Sequence, residues 1–189
     1  MNISKNIQKK IFSKEVIISI ILIIFIFILD RVTKIFIINH QTNNQNIFVN
    51  DYLNFELIWN TGIGFGLLSQ NANMYYHLIS LLILSVIIFL IYLMIKAEYL
   101  EKILFSLILG GALGNFYDRI IYYAVPDFID FHINDFHWFT FNIADIFITL
   151  GIILILIRDI IFKKKMKLIK NLIILLSLSI ALNGCSSFK

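Results

Sequence analysis

Long apolar runs alternate with short polar stretches along this chain. The runs fall near Val16–Leu29, Met74–Ile95, Ile103–Leu113 and Ile146–Ile157. A membrane-crossing helix takes about 20 mostly apolar residues at about 1.5 Å rise per residue. The first two runs reach that length unaided. The third and fourth reach it only by taking in the polar stretches Gly110–Phe116 and Asn142–Asp145, which puts those stretches at helix ends near one interface. The pattern predicts four transmembrane helices. Between the first two runs lies a segment, His40–Asn73, whose Phe48–Trp59 portion nearly alternates apolar and polar residues. A period of two predicts short strands. The glycines of Asn60-Thr61-Gly62-Ile63-Gly64-Phe65-Gly66 then permit a turn or a close backbone approach. Either a small sheet that accepts an extended peptide as an added strand or a compact surface loop fits this segment.

Composition narrows the class. Of 189 residues 59% are hydrophobic, mean hydropathy is +0.86 and there is one proline, which excludes an ordinary soluble domain. Lys5, Lys9, Lys10 and Lys14 precede the first helix, Lys96 and Lys102 flank the second connection, and Arg158, Lys163, Lys164, Lys165, Lys167 and Lys170 follow the fourth. Only Arg31, Lys34 and Arg119 lie on the other side. By the positive-inside rule both ends of the four-helix body are cytoplasmic and the motif-bearing connections face out. The basic residues bracket spans and form no reading surface, so no nucleic-acid partner is expected. No small-residue cleavage site follows Leu29, so the first run reads as an uncleaved anchor. Trp59, Trp138, Tyr52, Tyr75, Tyr122 and Tyr123 suit an aromatic belt at the outer interface.

Ionisable residues near hydrocarbon are costly and persist where they are paired or used. Asp127 and Asp145 flank the entry to the fourth span and could face each other. Two close carboxylates share one proton, so one can activate water while the other donates a hydrogen bond. For Asp145 a plain helix-start anchor is the competing reading, since a helix N-terminus favours a carboxylate. Asp118, beside Arg119 and three residues after Asn115, suits a structural hydrogen-bonding or ion-pair role; Asp130 reads as a solvated loop residue. Asp30 and Lys34 are one helical turn apart and form either an ion pair or two interfacial side chains reaching for water. His40, His77, His132 and His137 are scattered, so no metal site is expected. Ser80 and Ser85 lack a nearby base. The rivals to a peptidase are an ion relay and a non-catalytic scaffold. The clustering of the acids at one interface counts against the first.

The ordered set Asp30-Arg31-Val32-Thr33-Lys34, Asn60 to Gly66, Gly110 to Arg119, Asp127-Phe128-Ile129-Asp130-Phe131 and Asn142-Ile143-Ala144-Asp145 resembles the bacterial lipoprotein signal peptidase family (signal peptidase II). The resemblance spans roughly residues 12–162. It implies an all-α, four-helix inner-membrane aspartic endopeptidase with a small periplasmic β-cradle and its active site at the periplasmic face. Such enzymes cut diacylglyceryl-modified prolipoproteins before the lipidated cysteine, without a cofactor. Carried over by motif, Asp127 and Asp145 are the catalytic pair. Asp30, Lys34, Asn60, Gly111, Asn115, Arg119, Asn142 and Ala144 are substrate-binding or supporting residues. The expected partners are the prolipoprotein substrates and membrane lipids, with the enzyme a monomer. Gly64 departs from the family's usual small residue such as alanine at that position.

Residues 1–165 form the expected peptidase domain. From Met166 the chain reads as a basic start, an apolar Leu172–Leu182 and then Leu182-Asn183-Gly184-Cys185, which looks like a lipoprotein signal ending in a lipobox. Three readings of 166–189 stand: a fused or neighbouring reading frame, a tethered substrate cut before Cys185, or a membrane-resting tail. The lone cysteine says nothing about redox compartment.

Overall fold

The computed structural model describes residues 13–41, 46–61, 72–134 and 136–162, without the side chains of 72–75 and 138. The Gly62–Gly66 turn with Gly64, the side chains of Tyr75 and Trp138, and the tail 166–189 lie outside the described residues. Four helices carry the fold: α1 Lys14–Gln41, α2 Ala72–Lys96, α3 Tyr99–Tyr122 and α4 Ile143–Phe162. Each contains one of the four apolar runs. By length and composition two stretches could cross a membrane, Lys14–His40 and Tyr76–Lys96. The other two helices end in the polar residues of the site, α3 with Asn115, Asp118 and Arg119 and α4 with Asp145. At 28 residues α1 is about 42 Å long, enough for a bilayer core and its outer interface.

The helices are apolar on the outside as well as within. Ile17, Ile21, Ile24, Phe25 and Ile28 of α1 and Leu78, Leu81 and Ile88 of α2 are exposed. A continuous apolar exterior of this extent suits lipid. The core lies where α2, α3 and α4 meet: Ile87, Leu90 and Met94 pack against Leu104, Phe105, Ile108 and Leu109, with Ile152 and Ile155 from α4. α3 is the central helix, packed on α1, α2 and α4. Two glycines let it approach its neighbours. A Cβ on Gly114 would lie 2.5 Å from Asp30 Oδ2, and one on Gly111 would collide with the backbone carbonyl of Ala144. Small residues at such crossings allow close packing in a bilayer. Gly111→Ala is therefore expected to push the start of α4 away from α3. The clash should destabilise the fold by about 1–3 kcal/mol, the usual cost of overpacking. Thermal unfolding of the purified variant checks this; an unchanged midpoint would show that the contact is dispensable.

Four antiparallel strands sit on one end of the bundle in the order β1-β2-β3-β4: β1 Ile47–Asn50, β2 Leu53–Asn60, β3 Val125–Ile133 and β4 Phe136–Phe141. The alternation in Phe48–Trp59 correctly foretold β1 and β2. The sheet is larger than that alternation suggested, because β3 and β4 occupy a stretch that reads as a connection. Aromatic and β-branched residues fill it, as strands favour. Asp127 and Asp130 therefore stand on a strand between two neighbours, and Asp130 is a buried residue rather than a solvated loop position. Ile37 of α1 with Phe128 and Ile129 of β3 anchors the sheet to the bundle. Gln41 adds a polar tie: its Nε2 donates to the Phe55 carbonyl (2.7 Å) and its Oε1 accepts from the Leu57 N–H (2.5 Å). Those groups lie where the β2–β3 register shifts, between Phe55 and Ile58. A bulge frees backbone groups from the ladder, and Gln41 satisfies them. Tyr52, Trp59, Tyr122 and Tyr123 are exposed near the sheet, with the Trp59 and Tyr122 rings 5.5 Å apart.

Candidate active site

Asp127 and Asp145 reach one place from different elements. Asp127 is carried by β3, where it pairs with Ile58 of β2. Asp145 sits in the first turn of α4. Asn142, between β4 and α4, touches both. Its Nδ2 donates to Asp127 Oδ1 at 2.6 Å, and its backbone N–H donates to Asp145 Oδ2 at 3.1 Å. Its Oδ1 in turn accepts from the Asp145 backbone N–H at 3.0 Å. The exchange between Asn142 and Asp145 is a capping box, in which two otherwise unpaired helix-start N–H groups are satisfied reciprocally. Helix α4 thus begins here for a local reason, and the same residue that starts it holds the other aspartate.

Two further amides complete the frame. Asn60, at the end of β2, donates from Nδ2 to Asp127 Oδ2 at 2.9 Å. Asn115 of α3 donates from Nδ2 to Asp145 Oδ1 at 2.8 Å. Asp127 is 3% exposed, whereas Asp145 is only partly buried. Burial first, and the negative charge of Asp145 second, push the Asp127 carboxyl up to about 7; the Asn60 and Asn142 donors pull the other way. Two carboxyls this close titrate together, so the pair holds a proton between them near neutral pH.

Behind the carboxylates lies a buried charge cluster. Lys34 Nζ donates to Asp30 Oδ2 (2.9 Å), Asn115 Oδ1 (2.8 Å) and Asp118 Oδ2 (2.7 Å). Its three donors are all used, and the side chain has no exposure, so it does not reach for water. Arg31 lies 2.5 Å from Asp118 Oδ1 and 3.4 Å from Asp30 Oδ2. Two acids and two bases thus compensate one another. Asp118 has the ion-pair role expected of it, with partners on α1. Asp30 extends the network to α4, accepting the Ala144 backbone N–H through Oδ1 at 3.1 Å. A carboxylate suits the first turn of a helix, where N–H groups lack partners. The chain Lys34–Asn115–Asp145 fixes the Asn115 amide: its oxygen faces the ammonium, so its NH₂ must face the carboxylate.

Of the residues expected at the site, Asp30, Lys34, Asn60, Asn115, Asn142 and the Ala144 backbone join this one hydrogen-bonded assembly around Asp127 and Asp145. Gly111 supports it by contact with Ala144. Arg119 is buried next to it in sequence, but among the described residues no contact with either aspartate is found; its carbonyl accepts the Tyr76 hydroxyl at 2.7 Å. Arg31 was not foreseen as part of the cluster. Its signal was present, since it adjoins Asp30 on a helix that must be buried at that level. Ser80 and Ser85 donate to carbonyls of their own helix, Tyr76 and Leu82.

Comparison with known proteins identifies the family. The profile of the family described as Signal peptidase (SPase) II matches residues 22–162. A lipoprotein signal peptidase of Pelagibacter ubique (strain HTCC1062) is 44% identical over 166 residues, covering 87% of this chain and 100% of the relative. One from Francisella tularensis subsp. novicida (strain U112) is 42% identical over 149 residues, covering 77% and 92%. Among solved structures, a bacterial membrane enzyme determined by the in meso method at 2.3 Å resolution superimposes with a TM-score of 0.64 at 35% identity, covering 79% of this chain and 92% of that one. A second, at 1.9 Å resolution, gives 0.66 at 35% identity, covering 74% and 90%. With the family profile matched over most of its length and close relatives along nearly all of theirs, this chain belongs to the signal peptidase (SPase) II family.

Proposed function

We propose that the chain is a membrane-embedded aspartic endopeptidase that removes signal peptides from diacylglyceryl-modified prolipoproteins, cutting before the lipidated cysteine, with Asp127 and Asp145 as its catalytic pair. The observation that carries the assignment is Asn142, which binds both carboxylates at once and so sets them at one reacting centre. Asp145, in the first turn of α4, is the better placed to carry negative charge and to take a proton from the attacking water. Asp127, pushed up to about 7, holds a proton that can hydrogen-bond the scissile carbonyl. As water adds, Asp127 gives its proton to the carbonyl oxygen, which becomes a hydroxyl, while Asp145 holds the proton taken from water. Collapse of the tetrahedral species breaks the C–N bond: the proton on Asp145 passes to the leaving amine and a hydroxyl proton returns to Asp127. Neither step needs a metal.

All four helices cross the membrane in this reading, α3 and α4 with their polar ends at the interface. The sheet and the site face the periplasm, and both ends of the four-helix body lie in the cytoplasm. Basic and acidic residues at the far end of the bundle, such as Lys102 paired with Glu15 at 2.8 Å, suit the inner interface of a bacterial inner membrane. The enzyme acts as a monomer among lipids whose diacylglyceryl chains reach the site laterally.

Purified protein in lipid or detergent, given a diacylglyceryl-prolipoprotein, should release a product whose first residue is the lipidated cysteine. A product beginning elsewhere overturns the specificity. The pH profile is a second test. The coupled pair titrates as a unit, and cleavage should decline as pH rises through about 7, when the Asp127 proton is lost. Asn60 stabilises the ionised form of Asp127, so Asn60→Ala should move that basic limb to higher pH. A limb that stays in place or moves down would assign the proton to another group.

A further inference from the structure

Asp130, His132 and His137 lie on the β3–β4 hairpin, and the catalytic assembly uses none of them. Each offers one ligand atom, and these atoms lie within 4.8 Å of one another. The arrangement follows from strand geometry. Asp130 and His132 are two apart on β3, where side chains point to the same face. His132 and His137 are directly paired across the two strands. Their rings stack with centroids 5.1 Å apart. The hairpin thus brings together what the sequence scatters over eight positions.

Two observations go beyond proximity. Asp130 is 3% exposed and His132 9%, so two of the three polar groups are held out of water. His132 Nδ1 is buried yet has no hydrogen-bond partner, and the nearest acceptor, Asp130 Oδ2, is 3.5 Å away. A buried ring nitrogen without a partner is costly. The same Asp130 Oδ2 lies 2.8 Å from His137 Nδ1. Ligands about 2.0–2.2 Å from a tetrahedral ion are themselves separated by about 3.3 Å. The two separations bracket that value. His137 has a half-exposed side chain, which leaves an entry path and room for a water at the open position.

We infer that Asp130, His132 and His137 form a binding site for a divalent transition-metal ion of the zinc class, which clips strand β3 to strand β4 beside the catalytic centre. Two imidazoles and one carboxylate favour such an ion over Mg²⁺ or Ca²⁺, which take oxygen ligands. The clip is structural. β3 carries Asp127 three positions before Asp130, and β4 ends at Phe141, next to the residue that holds both catalytic carboxylates. An ion bound here ties together the two strands that position them.

The test uses the full chain without a polyhistidine tag, stripped of metal by chelation and desalting. Zn²⁺ is then titrated against a competing chromophoric chelator, with Mg²⁺ as control. One equivalent of Zn²⁺ should bind at micromolar or lower concentration, and Zn²⁺ but not Mg²⁺ should raise the thermal unfolding midpoint. His137→Ala, an exposed position whose loss should not disturb folding, is expected to weaken binding at least about tenfold, on the scale seen when the surroundings of a metal are altered. His132→Asn should do the same. Failure of the wild-type chain to take up a stoichiometric ion overturns the site and leaves an Asp–His pair. Equal affinity in the wild type and His137→Ala also overturns it, placing the ion elsewhere. Neither result bears on the aspartic mechanism, because the readout is binding.

Discussion

Asp127→Asn and Asp145→Asn are each expected to bring prolipoprotein cleavage down by at least about 10³-fold, within the range that acid–base groups contribute. An asparagine matches the shape of an aspartate but can neither hold the shared proton nor accept one from water. At position 127 the change also disturbs the frame. Both carboxylate oxygens accept amide protons there, Oδ1 from Asn142 and Oδ2 from Asn60. An asparagine presents one oxygen and one NH₂, so one of those donors would face another donor. Some loss of stability should therefore accompany Asp127→Asn. At position 145 the box with Asn142 weakens in the same way, by about 1 kcal/mol on the scale of helix caps. The two substitutions together should cost little more than either alone, because groups that act as a unit are not additive. Turnover of a lipidated substrate by folded, membrane-inserted variants decides the matter. Asp51→Asn, at an exposed turn between β1 and β2, serves as the control and should cleave normally. Substantial cleavage by either catalytic variant would move the chemistry to other residues.

Lys34→Met should be the most destabilising single change outside the apolar core, at about 3–5 kcal/mol, the usual cost of leaving a buried charge without its partner. Lys34 is completely buried and joins two acids, Asp30 and Asp118. Methionine fills similar volume but leaves Arg31 alone against both carboxylates, one negative charge in excess. The loss should spread to catalysis. Without the ammonium, the Asn115 oxygen has no donor and its amide is free to turn over, which withdraws the NH₂ from Asp145. Lys34→Met with Asp118→Asn restores charge balance and should recover part of the stability, but not the orientation of Asn115. Thermal unfolding in detergent and turnover per folded molecule separate the two effects. A double variant no more stable than Lys34→Met would refute the charge-balance account.

How much of this was legible beforehand depends on the range of the interactions concerned. Helices α1 to α4 follow from runs of apolar residues, and β1 and β2 from near-alternation of apolar and polar residues, because both patterns are local. The Asp30–Lys34 pair is one helical turn apart and was visible as a possibility. Its burial was not, since that depends on Asn115 and Asp118 arriving from α3, more than eighty positions along the chain. Strands β3 and β4 escaped notice because Pro126, Asp127, Asp130 and Asn134 look like turn residues in isolation. Pairing with β2 overrides that preference: Pro126, second in its strand, sits opposite Trp59, and Asp127 opposite Ile58. Asp130 was misread for the same reason.

The sequence by itself determined four apolar helices, the first two strands and the family to which the chain belongs, and it singled out Asp127 and Asp145 as the candidate pair. Apolar length, basic flanks and motif order are all properties of a one-dimensional string. Only the tertiary structure decided that Asn142 bridges the two carboxylates, that Lys34 and Arg31 neutralise Asp30 and Asp118, and that Asp130 meets His132 and His137. Each of those facts is a meeting of groups whose separation along the chain carries no periodic signal. Burial then sets their chemistry, because a carboxyl removed from water holds its proton only where the surrounding donors and charges permit.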